Sequence, residues 1–441
     1  MSRRSTWHLT WLVLGLTVCL SSAAGRCSAD IVADILTLQA SKPHSYDQFI
    51  SATRELAGSD RITAEKIGYT GKGRAVILLA VHHPEHRDLP PSEHPPCLFI
   101  IARQHGTEAA GTEAALALLR YFATTRDEVS LRILRQLTIV TVPMANPDGV
   151  AAGRRSNSAN VDLNRDWLAL SQPETTTIAA AVERWQPLAV IDMHELPASS
   201  PRPAFARSFV QTIGYDLTVP QWISADCHTC TLRIADWMRR YSLPANFYYD
   251  QSNRTRTLCH RYFGLVRGIP AFLFESSTGP GHPLHERVAF HVLGTLVVGN
   301  HLIHSYYNKT TPTRTPAMVV SAPPQVSSAD SSTAPPTTQP QMTAPSMPLE
   351  LQILKPDDGA TVAGMVPIVA QVAGTAFSYI TFSVDGALKA MSTSTPYTYA
   401  LDTEDYADGK HHIEVSLCSD IGQPVLSKAC TLTVNNSPMG R

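Results

Sequence analysis

From about residue 309 the chain runs TTPTRTPAMVVSAPPQVSSADSSTAPPTTQPQMTAPSMP, and no single folded core can pass through such a stretch. Its Thr, Pro and Ser carry no apolar period. Too little surface could be buried to offset the entropy of ordering it, and its prolines favour extended backbone. Residues 309–347 therefore read as a linker, and what precedes and follows must fold as separate units. A chain of 441 residues has room for more than one core.

The start, MSRRSTWHLTWLVLGLTVCLSSAAG, has two arginines, a short apolar run and then small residues. That is the pattern of a secretory signal peptide, assigned to 1–29 with cleavage after Ala24 or Ala29. Val18 is bulky where a lipoprotein signal needs a small residue before Cys19, which argues against a lipid anchor. No later segment reads as long and apolar enough to span a membrane, and the stretch before the first domain is too short for a folded prodomain. The protein is therefore expected to be secreted, periplasmic or extracellular, where disulfides persist. On that basis CHTC (227–230) reads as disulfide material with Cys259 as a partner, and Cys418 and Cys430 as the staple of a hairpin. With a net charge of −1, 17% charged residues and no basic block, nucleic acid and anionic membrane are excluded as main partners.

Beyond the linker, 348–441 holds short alternating segments (LELQILK, VPIVAQVAG, YITFSVDG, HHIEVSLCS and CTLTV) divided by turn residues, the pattern of a β-sandwich. His411 and His412 are neighbours in a strand and point to opposite faces, so they do not make a metal pair. The first domain, 30–308, alternates differently. Apolar runs AVILLAV (75–81), CLFIIA (97–102), LTIVTVP (137–143), LAVIDMH (188–194) and AFLFES (271–276) are separated by amphipathic, helix-like stretches. This predicts an α/β fold with a mostly parallel sheet and helices on both faces. Ligands in such folds gather at the carboxyl ends of the strands.

Four polar residues stand at those ends. CLFIIA leads to His105 and Glu108, LAVIDM to His194, and AFLF to Glu275. Each has an ordinary reading alone: His105 and Glu108 a turn or helix cap, His194 a core histidine. Glu275 closes an apolar strand, where an unpaired carboxylate is costly. Together they offer the His and Glu ligands of a catalytic zinc, which keeps one position for water, with a carboxylate to move the proton. Between them lies RRSNSANVDLNRDW (154–167), a loop-like stretch rich in arginine and amide groups, suited to carboxylates and oxyanions.

With RQHGTE, NPDG, RSNSANVDLNR, DMHE and FLFE in this order, the first domain resembles the zinc metallocarboxypeptidases of the carboxypeptidase A type over about 45–305. The resemblance implies one Zn²⁺ per chain, bound by His105, Glu108 and His194. It makes Asp162 the carboxylate behind the first zinc histidine and Arg155 the oxyanion stabiliser. Asn164 and Arg165 would hold the free C-terminal carboxylate of a peptide, and Glu275 would be general base and then acid. The implied activity is hydrolysis of the C-terminal peptide bond. The family's substrate-covering tyrosine is not assigned, because Tyr248, Tyr249 and Tyr262 all fit the spacing poorly. Residues 348–437 resemble the immunoglobulin-like modules of bacterial exoenzymes, which implies attachment to a surface or polymer, or a spacer. Two other functions stay open: an amidohydrolase of N-acyl amino acids or cell-wall stem peptides, and a non-catalytic binding protein.

Overall fold

The computed structural model describes residues 28–196, 208–214, 219–243, 245–250, 255–310, 348–393, 395–419 and 423–436. The expected signal peptide and linker fall outside these residues, except at 28–29 of the one and 309–310 of the other. Two helices, α1 (Ser28–Thr37) and α2 (Tyr46–Leu56), open the first domain. Ser45 caps α2 in a reciprocal box with Gln48, which satisfies two otherwise orphaned amides. The chain then builds β1 (Ile62–Tyr69), β2 (Ala75–Val81), β3 (Cys97–Ala102), α3 (Ala110–Thr124), α4 (Glu128–Gln136), β4 (Thr138–Val142), α5 (Pro147–Ala152), α6 (Pro173–Trp185), β5 (Ala189–Leu196) and β6 (Phe209–Ile213). It closes with α7 (Gln221–Arg240), β7 (Asn246–Asp250), β8 (Ala271–Ser277) and α8 (Leu284–Thr310).

The strands form a sheet in the order β1-β2-β4-β3-β5-β8-β6-β7. The central four, β4-β3-β5-β8, are parallel, and their near-continuous apolar runs are buried on both faces. The flanks are mixed: β1 and β2 run antiparallel, and β6 and β7 run parallel to each other but against β8. One face packs on α1, α2, α3, α7 and α8, the other on α6 and the helical segment 259–266. From β3 the chain steps outward to β4 and returns on the other side as β5. The crevice beyond β3 and β5 is thus the switch point of the sheet.

The second domain adds β9 (Glu350–Lys355), β10 (Thr361–Val362), β11 (Met365–Ala373), β12 (Tyr379–Val384), β13 (Ala387–Ser392), β14 (Tyr397–Asp402), β15 (Gly409–Cys418) and β16 (Pro424–Val434). Sheet β14-β11-β9 faces sheet β13-β12-β15-β16-β10, and β13 also pairs with β7, so the second sheet continues the first domain's.

Three expectations are corrected. The six described cysteines are all free and buried. CHTC lies inside α7, three residues apart on its inward face, with Cys227 and Cys230 in the core on one side of the sheet and Cys259 on the other. Cys418 stands opposite Pro424 and Cys430 opposite Ile413, so they sit at different levels of the hairpin and cannot bridge. Lastly, α8 is long and apolar enough to cross a membrane by length and composition. Most of it is buried, however, packed on α3 and α7 as a core helix.

Candidate metal centre and active site

The chain leaves β3 through Arg103, whose φ of 58° is left-handed and turns the backbone sharply. Its buried guanidinium holds the turn, donating to Gly106 O at 3.1 Å and His44 O at 3.0 Å. Gly106 has no alternative, since a Cβ there would lie 2.2 Å from the Gly149 backbone carbon. That close approach is set by NPDG, which is more than a turn. Asn146 caps α5 and donates to the carbonyls of Gln104 and Arg155, tying the two loops together. RQHGTE is therefore a rigid hairpin of chain that delivers His105 and Glu108 into the crevice.

There they meet His194 of β5. His105 Nδ1 lies 2.7 Å from Glu108 Oε1, His194 Nδ1 lies 2.8 Å from Glu108 Oε2, and the two Nδ1 atoms are 3.0 Å apart. Each imidazole turns its other nitrogen to a carboxylate: His105 Nε2 to Asp162 at 2.9 Å, and His194 Nε2 to Asp192 at 2.8 Å. With Nε2 protonated against a carboxylate, both Nδ1 lone pairs converge on one point beside Glu108. Two lone pairs and a carboxylate repel one another unless a cation sits among them. The donors lie slightly closer than the edge of about 3.3 Å between ligands of a tetrahedral zinc with bonds near 2.0–2.1 Å. They fit a divalent metal, and among the described residues this is the one such group. The electrostatics agree. Burial opposes charge on Glu108, yet His105 and His194 hold its carboxyl well below the usual carboxylate range. Burial likewise opposes charge on His194, yet Asp192 and Glu108 raise its imidazole well above the ordinary value.

The remaining expected residues surround this point. Glu275 of β8 is the register partner of His194, so they stand side by side across the ladder. Its Oε2 is sealed from solvent without a partner among the described residues, and burial, helped by the charges of Glu108 and Asp192, pushes the carboxyl up to about 8. A bound cation would pull it back down. Arg155, half-exposed, reaches Glu108 Oε1 at 3.1 Å and Asp162 Oδ2 at 3.1 Å. Asp162 also receives the Asn164 amide, and despite burial His105 and Arg155 hold its carboxyl below the usual range. Asn164 is buried: its Oδ1 accepts from Cys259 N at 2.8 Å, and its Nδ2 lies 3.1 Å from His194 Nε2. Arg165 is exposed, its Nη1 donating to Asn164 O.

Residues 48–196 match the family described as zinc carboxypeptidase, and residues 350–415 match a bacterial Ig domain. Over that stretch the first domain is similar to the zinc carboxypeptidases. Carboxypeptidase 2 of Trichophyton tonsurans is 34% identical over 108 residues, 24% of this chain and 20% of that protein. Carboxypeptidase SOL1 of Arabidopsis thaliana is 34% identical over 98 residues, 20% of each chain. The chain thus spans about a fifth of the length of the curated relatives it matches. A metallo-carboxypeptidase structure from Burkholderia cenocepacia has the same fold, with a TM-score of 0.50 at 19% identity over 60% of this chain and 70% of that one. The stretch that matches the family contains His105, Glu108, Arg155, Asp162, Asn164, Arg165 and His194 but ends before Glu275. For Glu275 the structural support is its register beside His194.

Sequence reasoning passed over the support behind His194. Asp192 Oδ1 accepts from Gln104 Nε2 at 2.6 Å, and Gln104 Oε1 accepts from Trp167 Nε1 at 2.6 Å, all buried. The signal was present in DMH, because residues two apart on a strand share a face. None of the three tyrosines left unassigned stands in the crevice. Tyr248 packs on Phe209, Tyr249 beside His228, and Tyr262 between Trp167 and Phe263.

Proposed function

We propose that this protein is an exported zinc-dependent carboxypeptidase that removes the C-terminal residue of peptides. The reading rests on one observation: three buried metal donors converge beside a sealed, unpartnered carboxylate on the neighbouring strand. His105, Glu108 and His194 would hold one Zn²⁺, which supplies a Lewis acid for the scissile carbonyl and acidifies water. Glu275 is placed to take the proton of the attacking water at its free Oε2 and hand it to the leaving amine. Arg155 has its guanidinium at the same point and room to swing, which suits an oxyanion contact. Arg165 offers an exposed charge for the terminal carboxylate. Asn164 is held at its Oδ1 by Cys259 N, while its Nδ2 faces a His194 Nε2 that is itself a donor, which leaves the Nδ2 protons for that clamp.

Metal content and a substrate panel test the proposal together. The purified protein should carry one zinc per chain, and His194→Ala should lose it. Peptides with a free C-terminus should be cleaved and their amidated forms spared. Preference for N-acyl amino acids or muropeptides would transfer the protein to amidohydrolase chemistry, and a metal-free, folded wild type would overturn the enzymatic reading.

A further inference from the structure

The two domains share one ladder. β13 runs antiparallel to β7, with Ala390 opposite Tyr248, Met391 opposite Phe247 and Ser392 opposite Asn246. At that level a single row crosses five strands. His194 stands opposite Glu275, Glu275 opposite Phe209, Phe209 opposite Asn246, and Asn246 opposite Ser392. A metal-site histidine and a hydroxyl of the second domain thus end the same row. Glu275 and Ser392 are three strand spacings apart, about 14 Å at the usual 4.7–4.9 Å per strand. Ser392 Oγ donates to Asn246 Oδ1 at 3.0 Å, both buried.

Side chains join the domains on both faces of this ladder. Period-two alternation sets Leu273 on the same face as Glu275. Leu273, Phe209, Tyr248 and Ala390 all belong to the core of the sandwich, with Ile368 and Phe382. On the opposite face Met391 and Tyr379 belong to the first domain's core, with Val210 and Phe247. Without β13, β7 would be an open sheet edge, and Phe209, Tyr248 and Leu273 would lose their cover beside the catalytic glutamate.

Taking the hydrolase reading of Glu275 as its basis, we propose that the immunoglobulin-like domain is a working part of the enzyme, docked through β7 and β13 and holding in place the sheet edge on which Glu275 stands. Phe209, Asn246, Met391 and Ser392 are positioning residues: they touch neither metal nor substrate and act through β6 and β8.

The test uses the full-length, zinc-loaded protein with a protease site set in the linker. After cutting, the wild-type halves should co-elute on size exclusion with kcat unchanged. Met391→Asp places a carboxylate in the shared core, so its cut halves should separate. Their kcat should fall on the order of 10- to 100-fold, as expected when a catalytic group is misplaced by about 1 Å. Zinc per chain and KM should hold. Amides of Phe209–Ile213 and Asn246–Asp250 should exchange at least about 10-fold faster, since local opening sets their protection. Met391→Leu should restore all of these. Cut wild-type halves that part with kcat and exchange unchanged would overturn the proposal, as would separated Met391→Asp halves with full kcat. If Met391→Asp does not fold, the cut wild type and Ser392→Ala decide through co-elution and exchange. If the uncut wild type binds zinc but cleaves no peptide, the hydrolase reading fails by itself, and co-elution and exchange still decide the docking.

Discussion

His105 and His194 each have a carboxylate behind them, Asp162 and Asp192, and this turns both Nδ1 atoms toward Glu108. On the function proposed, metal retention and proton transfer fall to different residues, which two substitutions can separate. Asp192→Asn keeps the shape but weakens the hold on the His194 tautomer. Zinc affinity, measured by competition with a chelator, should drop about 10- to 100-fold. Glu275→Gln should bind zinc like the wild type and lose about 100- to 10,000-fold in kcat, the range for a positioned acid–base group. A Glu275→Gln variant with near wild-type turnover would remove that residue from the mechanism. At this scale the sequence revealed the residues that were costly to leave unexplained. His105, Glu108, His194 and Glu275 are polar groups at the ends of apolar strands, where burial without a task is expensive. Asp192 was equally costly, but it lay within a run that reads as apolar, and its partner in space, Gln104, is remote in sequence.

Among elements, the central strands were readable because each is a continuous apolar run between amphipathic helices. The mixed flanks were not, since pairing direction leaves no mark on composition. β13 was missed for a local reason: ALKAMS is built of good helix formers, and only its place between β12 and β7 makes it a strand. The chemistry of CHTC hid its place in an element: it read as disulfide material and lies inside α7. One element-scale prediction concerns β7, whose last residue, Asp250, is fully enclosed. It accepts from Gln211 at 2.7 Å and Arg261 at 2.9 Å and pairs with His260 at 2.8 Å, clamping the segment 259–266 to β6 and β7. Burial opposes its charge, but Arg261 and His260 prevail and hold its carboxyl well below the usual range. A carboxyl depressed in the folded state adds stability above its unfolded value, near 3.9, and loses it as pH falls toward the folded one. Asp250→Asn should therefore cost about 3–5 kcal/mol at pH 7, the effect of stranding a buried pair. In urea titrations of the metal-free protein that deficit should shrink steadily below about pH 4. An equal deficit at pH 3 and pH 7 would exclude the ion pair as its cause.

For the whole molecule, composition puts a boundary at the Thr- and Pro-rich stretch, yet a covalent division says nothing about docking. The ladder between residues 246 and 392 joins strands far apart in sequence, and neither the periodicity of β7 nor that of β13 names its partner. Once formed, the ladder merges the cores: Met391 and Tyr379 complete one, Phe209, Tyr248 and Leu273 the other. Units that share buried side chains cannot unfold independently, because freeing either one exposes apolar surface of its neighbour at about 25 cal/mol per Å². The zinc-loaded protein should accordingly melt in one calorimetric transition, with calorimetric and van't Hoff enthalpies equal for the whole chain. Met391→Asp should split that transition in two, with the sandwich separating from the domain that holds the metal. Two transitions in the wild type would mean that the linker alone joins the domains, and the row from His194 to Ser392 would then be a contact without cooperative weight.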